Sequence, residues 1–113
     1  MPKPSPAKEA LPASLRDILR QLGQNIRIAR KRRRMSLREL AERALLTIPT
    51  VQRVELHPEK VGLTVLAQIL FVLNLADGLK GIADPGLDSI GQSMEINRLP
   101  KHSQQPKRRD LDF

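Results

Sequence analysis

The stretch from Ser36 to Glu55 constrains this chain more than any other part, because it holds two helix starts so close together that only two short helices and a tight turn fit between them. Ser36 is followed three residues later by Glu39, the pattern in which a serine hydroxyl accepts from a first-turn N–H and the glutamate reaches back. Leu37, Leu40, Ala41 and Ala44 then fall on one face of a short helix. After Ala44-Leu45-Leu46, Thr47 is placed to cap a second helix with Pro49 in its first turn, where a missing N–H costs nothing. That helix, Ile48 to about Glu55, turns Val51 and Val54 inward. Ile48, Pro49, Gln52 and Arg53 fall on the opposite side by three- and four-residue steps. Two such helices packed through an alanine and apolar partners are helix-turn-helix geometry.

The flanking sequence supplies the rest of an all-α bundle of about five helices. Residues 1–12 contain four prolines and read as a disordered arm. Ser14 with Asp17 resembles a helix start, and Leu15, Ile18, Leu19, Leu22, Ile26 and Ala29 recur at helical spacing in a first helix running to about Arg34. Gly23 costs about 1 kcal/mol relative to Ala inside that helix and marks a candidate break. His57-Pro58 ends the helix that begins at Ile48. Leu63 to Leu73 make a further helix, apolar nearly all round, which must be buried on more than one side: as a central core helix, or as one that also closes a dimer. Asp77 to Ala83 and Asp88 to Asn97 suggest two short helices. The expected organisation is a helix-turn-helix domain over 13–84, a short helical extension over 85–99 and a flexible tail over 100–113.

Charge decides the class of partner. The 113 residues carry a formal charge of +8, and cations that neutralise phosphates release condensed counterions. Nucleic acid is the expected partner, and duplex DNA in particular, because only two aromatic residues, both Phe, are available to stack on unpaired bases. The chain has no Cys, hence no disulfide, thiol nucleophile or thiolate metal site. His57 and His102 are isolated, no glycine-rich phosphate loop is present, and Glu39 and Glu42 have local structural explanations, so neither an enzyme nor a cofactor is expected. No signal-peptide pattern occurs, and the most apolar run, Val61 to Leu75, falls short of the ~20 residues that span a bilayer. A cytoplasmic, nucleoid-associated protein without membrane partners is expected.

The segment Ser36-Leu37-Arg38-Glu39-Leu40-Ala41, followed by Thr47-Ile48-Pro49-Thr50-Val51-Gln52-Arg53-Val54-Glu55, resembles the XRE family of lambda-repressor-like regulators over about Leu22 to Leu75. The resemblance implies that the helix from Ile48 enters the major groove, with Ile48, Pro49, Gln52 and Arg53 meeting base edges. Of these, Arg53 alone can make the bidentate bond to guanine O6 and N7. Ser36, Leu37, Thr47 and Thr50 would meet phosphates at the helix N-termini. The basic run Arg30 to Arg34 divides: the family pairs an arginine at Arg30 with the glutamate at Glu55, which leaves Arg32, Arg33 and Arg34 for the DNA backbone. Two departures bear on the turn. The family usually has Gly where this chain has Leu45, and often has Gly two residues after the glutamate, where His57-Pro58 stands.

A second resemblance lies at the chain's end. Asn97-Arg98-Leu99-Pro100-Lys101-His102, a basic stretch to Arg109 and then Asp110-Leu111-Asp112-Phe113 look like HipB-like antitoxins. That resemblance implies a homodimer that represses its own operon at a palindromic operator and binds a HipA-like serine/threonine kinase toxin. Asp110, Leu111, Asp112 and Phe113 would then dock into the partner, or else form a tail that aids solubility. Two alternatives stay open: an antitoxin that acts mainly by masking the toxin, and a lone repressor.

Overall fold

The computed structural model describes residues 11–98, and every regular element among them is helical. The elements are α1 (Ala13–Arg32), α2 (Leu37–Ala44), α3 (Ile48–Leu56), a 3-10 turn at Pro58–Lys60, α4 (Leu63–Val72), 3-10 turns at Ala76–Gly81 and Pro85–Leu87, and α5 (Ser89–Arg98). By contacts the chain divides between Leu79 and Lys80, ahead of the boundary expected near residue 84. The expected terminal segments fall almost wholly outside the described residues.

In the unit that ends at Leu79, α1 packs on α3 and on the Pro58–Lys60 turn, and α2 packs on both α3 and α4. The core draws Ile26 and Ala29 from α1, Leu40, Ala41 and Ala44 from α2, Val51 and Val54 from α3, and Ile69 from α4, closed by Met35 and Leu73. Each fully buried Leu, Ile or Val contributes about 1.5–3 kcal/mol relative to its exposed state. Gln68 adds a polar tie, its Nε2 donating to the Ala44 carbonyl at 3.1 Å across α2 and α4.

Several sequence expectations change here. α1 is capped at Pro12 without a side-chain bond, so Ser14 lies inside the helix rather than at its start. Its apolar periodicity is real, but only its second half is covered: burial runs from Gly23 to Arg30, while Leu15 and Ile18 are exposed. α1 also passes through Gly23 unbroken, and the glycine serves packing instead. A Cβ there would overlap the Glu55 carbonyl oxygen and stand 3.2 Å from Pro58 Cγ. Only glycine lets α1 approach the end of α3 this closely. Asp77 to Ala83 is 3-10 rather than α-helical over Ala76–Gly81.

In the unit from Lys80 onward, Asp84 and Asp88 accept from the N–H groups of Gly86 and Gly91 at 2.8 and 2.9 Å. Gln92 Nε2 donates to the Pro85 and Gly86 carbonyls, tying α5 to the turn before it.

Candidate nucleic-acid interface

The candidate interface is built from α2, its turn and α3. Ser36 Oγ accepts from the Glu39 N–H at 3.0 Å, which fixes the start of α2. The Glu39 carboxylate takes Arg43 Nη2 at 2.9 Å, one turn further along. Leu45 then adopts the left-handed conformation, φ 60° and ψ 41°. Its neighbour Leu46 donates its N–H to the Ala41 carbonyl at 2.9 Å, closing the turn. The turn therefore has left-handed geometry at the position where the XRE pattern carries glycine, at the ~1–2 kcal/mol that a side chain costs there.

Thr47 caps α3 as its side chain accepts from the Thr50 N–H at 3.3 Å, and the two hydroxyls lie 2.8 Å apart. Val51 and Val54 are fully buried, while Pro49, Gln52 and Arg53 are exposed. Ile48 is different: it is half-buried and packs against the core, so it belongs to the inner side of the helix's first turn as much as to its outer face.

Arg30 and Glu55 fix α3 against α1. Arg30 Nε donates to Glu55 Oε2 at 2.6 Å and Nη2 to Oε1 at 3.1 Å, a two-pronged pair with both residues buried. The third nitrogen, Nη1, donates to the Met35 carbonyl at 2.9 Å, so the same guanidinium also holds the chain between α1 and α2. Planar fork geometry of this kind sets orientation as well as distance.

The basic run separates into distinct roles. α1 ends at Arg32; Arg33 turns its Nη1 onto the Ala29 carbonyl at 2.7 Å, capping its own helix, and Arg34 takes the left-handed conformation at φ 55°. Arg32 and Arg34 are exposed and make no ion pair among the described residues. Between residues 11 and 79 there are twelve Lys and Arg against six Asp and Glu. Four of those carboxylates, on Asp17, Glu39, Glu55 and Glu59, lie against an arginine or His57. The positive charge left over falls on Arg27, Lys31, Arg32, Arg34, Arg38 and Arg53 among others. The motif carries no expectation for Arg27, yet it lines one groove with Leu37, Gln52 and Leu56, in front of the Arg30–Glu55 pair. Its only sequence signal is spacing, since Arg20, Arg27 and Lys31 share one side of α1.

A second, apolar groove runs between the end of α2 and α4, lined by Leu45, Ala67, Phe71 and Val72. Phe71 is 72% and Leu63 70% exposed, so the all-apolar α4 is only partly covered. Asp110, Leu111, Asp112 and Phe113 lie outside the described residues. Among the described residues no group of three or more His, Cys, Asp or Glu is placed to hold a metal ion, and no helix is long and apolar enough to cross a membrane. No protein-family model matches the chain, and none of the curated proteins or solved structures compared with it matches either.

Proposed function

We propose that this chain is a repressor that binds double-stranded DNA as a homodimer, and that it is the antitoxin of a HipA-like serine/threonine kinase toxin, working in the cytoplasm at the nucleoid. It binds and does not catalyse. α3 enters the major groove, Arg53 meets guanine O6 and N7, and Pro49 offers an apolar contact such as a thymine methyl accepts. Ser36, Leu37, Thr47 and Thr50 sit at the starts of α2 and α3, where free N–H groups and the helix dipoles favour phosphate. A palindromic operator with half-sites one helical turn apart, ~34 Å, suits a two-fold dimer.

One observation carries this proposal. α3 presents Pro49, Gln52 and Arg53 to solvent while Val51, Val54 and the Arg30–Glu55 pair hold its opposite face, in a unit with twice as many cations as carboxylates. The toxin partner rests on the resemblance at the chain's end. The test is binding of the purified protein to the DNA upstream of its gene and to scrambled DNA of equal length, at near-physiological salt. The upstream duplex binds more tightly, and Arg53→Ala sharply reduces the preference; equal binding to both duplexes by the unaltered protein refutes sequence reading.

The exposed Phe71 and Leu63 favour a second activity, docking of a protein on α4, which suits a dimer contact or direct masking of the toxin. Masking is separable from reading if Arg53→Ala still binds the kinase.

A further inference from the structure

We propose that Arg27 of α1 binds a DNA phosphate in the groove it shares with Leu37, Gln52 and Leu56, and that Gln52 contacts the DNA backbone there rather than a base edge. This rests on the DNA-binding function proposed above and assigns two of its contacts.

The charge of the groove singles out Arg27. Its back wall contains Arg30 and Glu55, which neutralise each other through two short bonds. Leu37 and Leu56 are apolar and Gln52 is neutral, so the net positive charge of the groove is that of Arg27. Several other cations are already engaged: Arg20 with Asp17 at 2.8 Å, Arg43 with Glu39 at 2.9 Å, and Arg33 with the Ala29 carbonyl at 2.7 Å. Each would surrender a contact to reach a phosphate. Arg27 is exposed, its side chain makes no ion pair or hydrogen bond among the described residues, and it would surrender only water.

Position makes that charge useful. Arg27 lies one turn before Arg30 on α1, and Arg30 is bonded to Glu55 on the reading helix itself. Gly23, a turn before Arg27, lets α1 approach the carbonyl of that same Glu55. Arg27 is therefore carried on a helix held to α3 on both sides of it, so a phosphate bound at Arg27 fixes how α3 sits in the groove. Gln52 lines the same groove, and an amide N–H donates to a phosphate oxygen without regard to sequence.

The test is a salt titration of binding to the upstream duplex and to the scrambled duplex, with the full-length protein and with Arg27→Gln, Arg27→Lys and Gln52→Ala. Equal thermal melts establish that the exposed substitutions leave the fold intact. Loss of one phosphate contact lowers the slope of log affinity against log salt by about 0.9, so loss of the two that a dimer makes lowers it by about 1.8, and weakens binding to all sequences alike. Arg27→Gln is expected to show that smaller slope and roughly a hundredfold weaker binding of both duplexes by the dimer at low salt, about tenfold for each copy; Arg27→Lys restores the slope. Gln52→Ala weakens both duplexes by one factor and leaves their ratio unchanged. An unchanged slope in Arg27→Gln, or a collapse of the ratio in Gln52→Ala, overturns the assignment. If the unaltered protein binds neither duplex, the proposed function falls and this assignment with it. If it binds both duplexes equally but with a slope that depends on Arg27, sequence reading alone falls and the phosphate contact stands.

Discussion

Replacing Glu55 by Ala tests what holds α3 in place. The carboxylate takes two bonds from Arg30, and the two side chains are only 9% and 5% exposed. Without it the guanidinium keeps the Met35 carbonyl as its partner but loses the charge that compensates its burial. Removing one member of a buried ion pair costs about 3–5 kcal/mol. At about 0.05–0.15 kcal/mol per residue, a unit of this size has roughly 3–10 kcal/mol in total, so the loss is a large fraction of its stability. With a urea dependence of about 1–1.5 kcal/mol per molar, the midpoint followed by circular dichroism at 222 nm falls by about 2 M or more. Arg30→Met combined with Glu55→Leu removes both charges, and so the desolvation cost with them, and recovers most of the loss. Raising salt leaves the difference nearly unchanged, because a buried pair is little screened. A Glu55→Ala variant within about 1 kcal/mol of the unaltered protein, or a double variant no better than the single one, would refute the reasoning.

Leu45→Gly relieves a left-handed residue whose side chain is 85% exposed. The strain of about 1–2 kcal/mol, less the ~0.4–1 kcal/mol of extra freedom glycine gives the unfolded chain, leaves a gain of roughly 0.5–1 kcal/mol, about 3–6 °C in melting temperature. Leu45→Ala keeps the strain, so its melting temperature does not rise; equal gains in both variants would count against the conformational explanation. Gly23→Ala improves helix propensity by about 1 kcal/mol yet drives a methyl into the Glu55 carbonyl, a backbone atom that cannot swing aside. Overpacking of this kind costs about 1–3 kcal/mol, so urea titration should show a net loss, and a stabilised variant would show that α1 and α3 do not meet as described.

What could be read from the sequence is what is encoded within a few residues. The starts of α2 and α3 were legible because Ser36 and Thr47 cap through N–H groups three residues away, a local event that neighbours hardly alter. Periodicity gave the side of α1 that could be buried but not the extent of its cover, since cover depends on where other helices end; Leu15 and Ile18 share the pattern of Ile26 and Ala29 and stay exposed. Gly23 shows the same limit. As a propensity it suggests a break, and only the neighbouring Glu55 carbonyl explains why an unbroken helix carries it. Nothing in the spacing of residues joined Arg30 to Glu55; the family resemblance did. Ile48 and Gln52 sit on the outer side of a helical wheel, whereas the structure packs the first against the core and lines a groove beside α1 with the second.

Those two placements alter how an operator would be distinguished. With Ile48 held by the core and Gln52 beside Arg27, base reading on the proposed interface falls to Arg53 and an apolar touch from Pro49. One good bidentate arginine–guanine pair is worth about 1–3 kcal/mol of discrimination, so the two copies of a dimer supply about 2–6 kcal/mol. Specific sites typically exceed non-specific DNA by about 4–10 kcal/mol. Any discrimination beyond what the two arginines supply comes from DNA geometry, since a helix fixed to α1 by the Arg30–Glu55 pair does not adjust to each duplex and the duplex adjusts to it. Sequences whose groove width and flexibility meet that fixed helix at low deformation energy would then be preferred at positions no side chain touches. Substituting base pairs between the half-sites, while leaving the guanine opposite Arg53 intact, should weaken binding for that reason; indifference to the spacer would place all discrimination on Arg53 and Pro49.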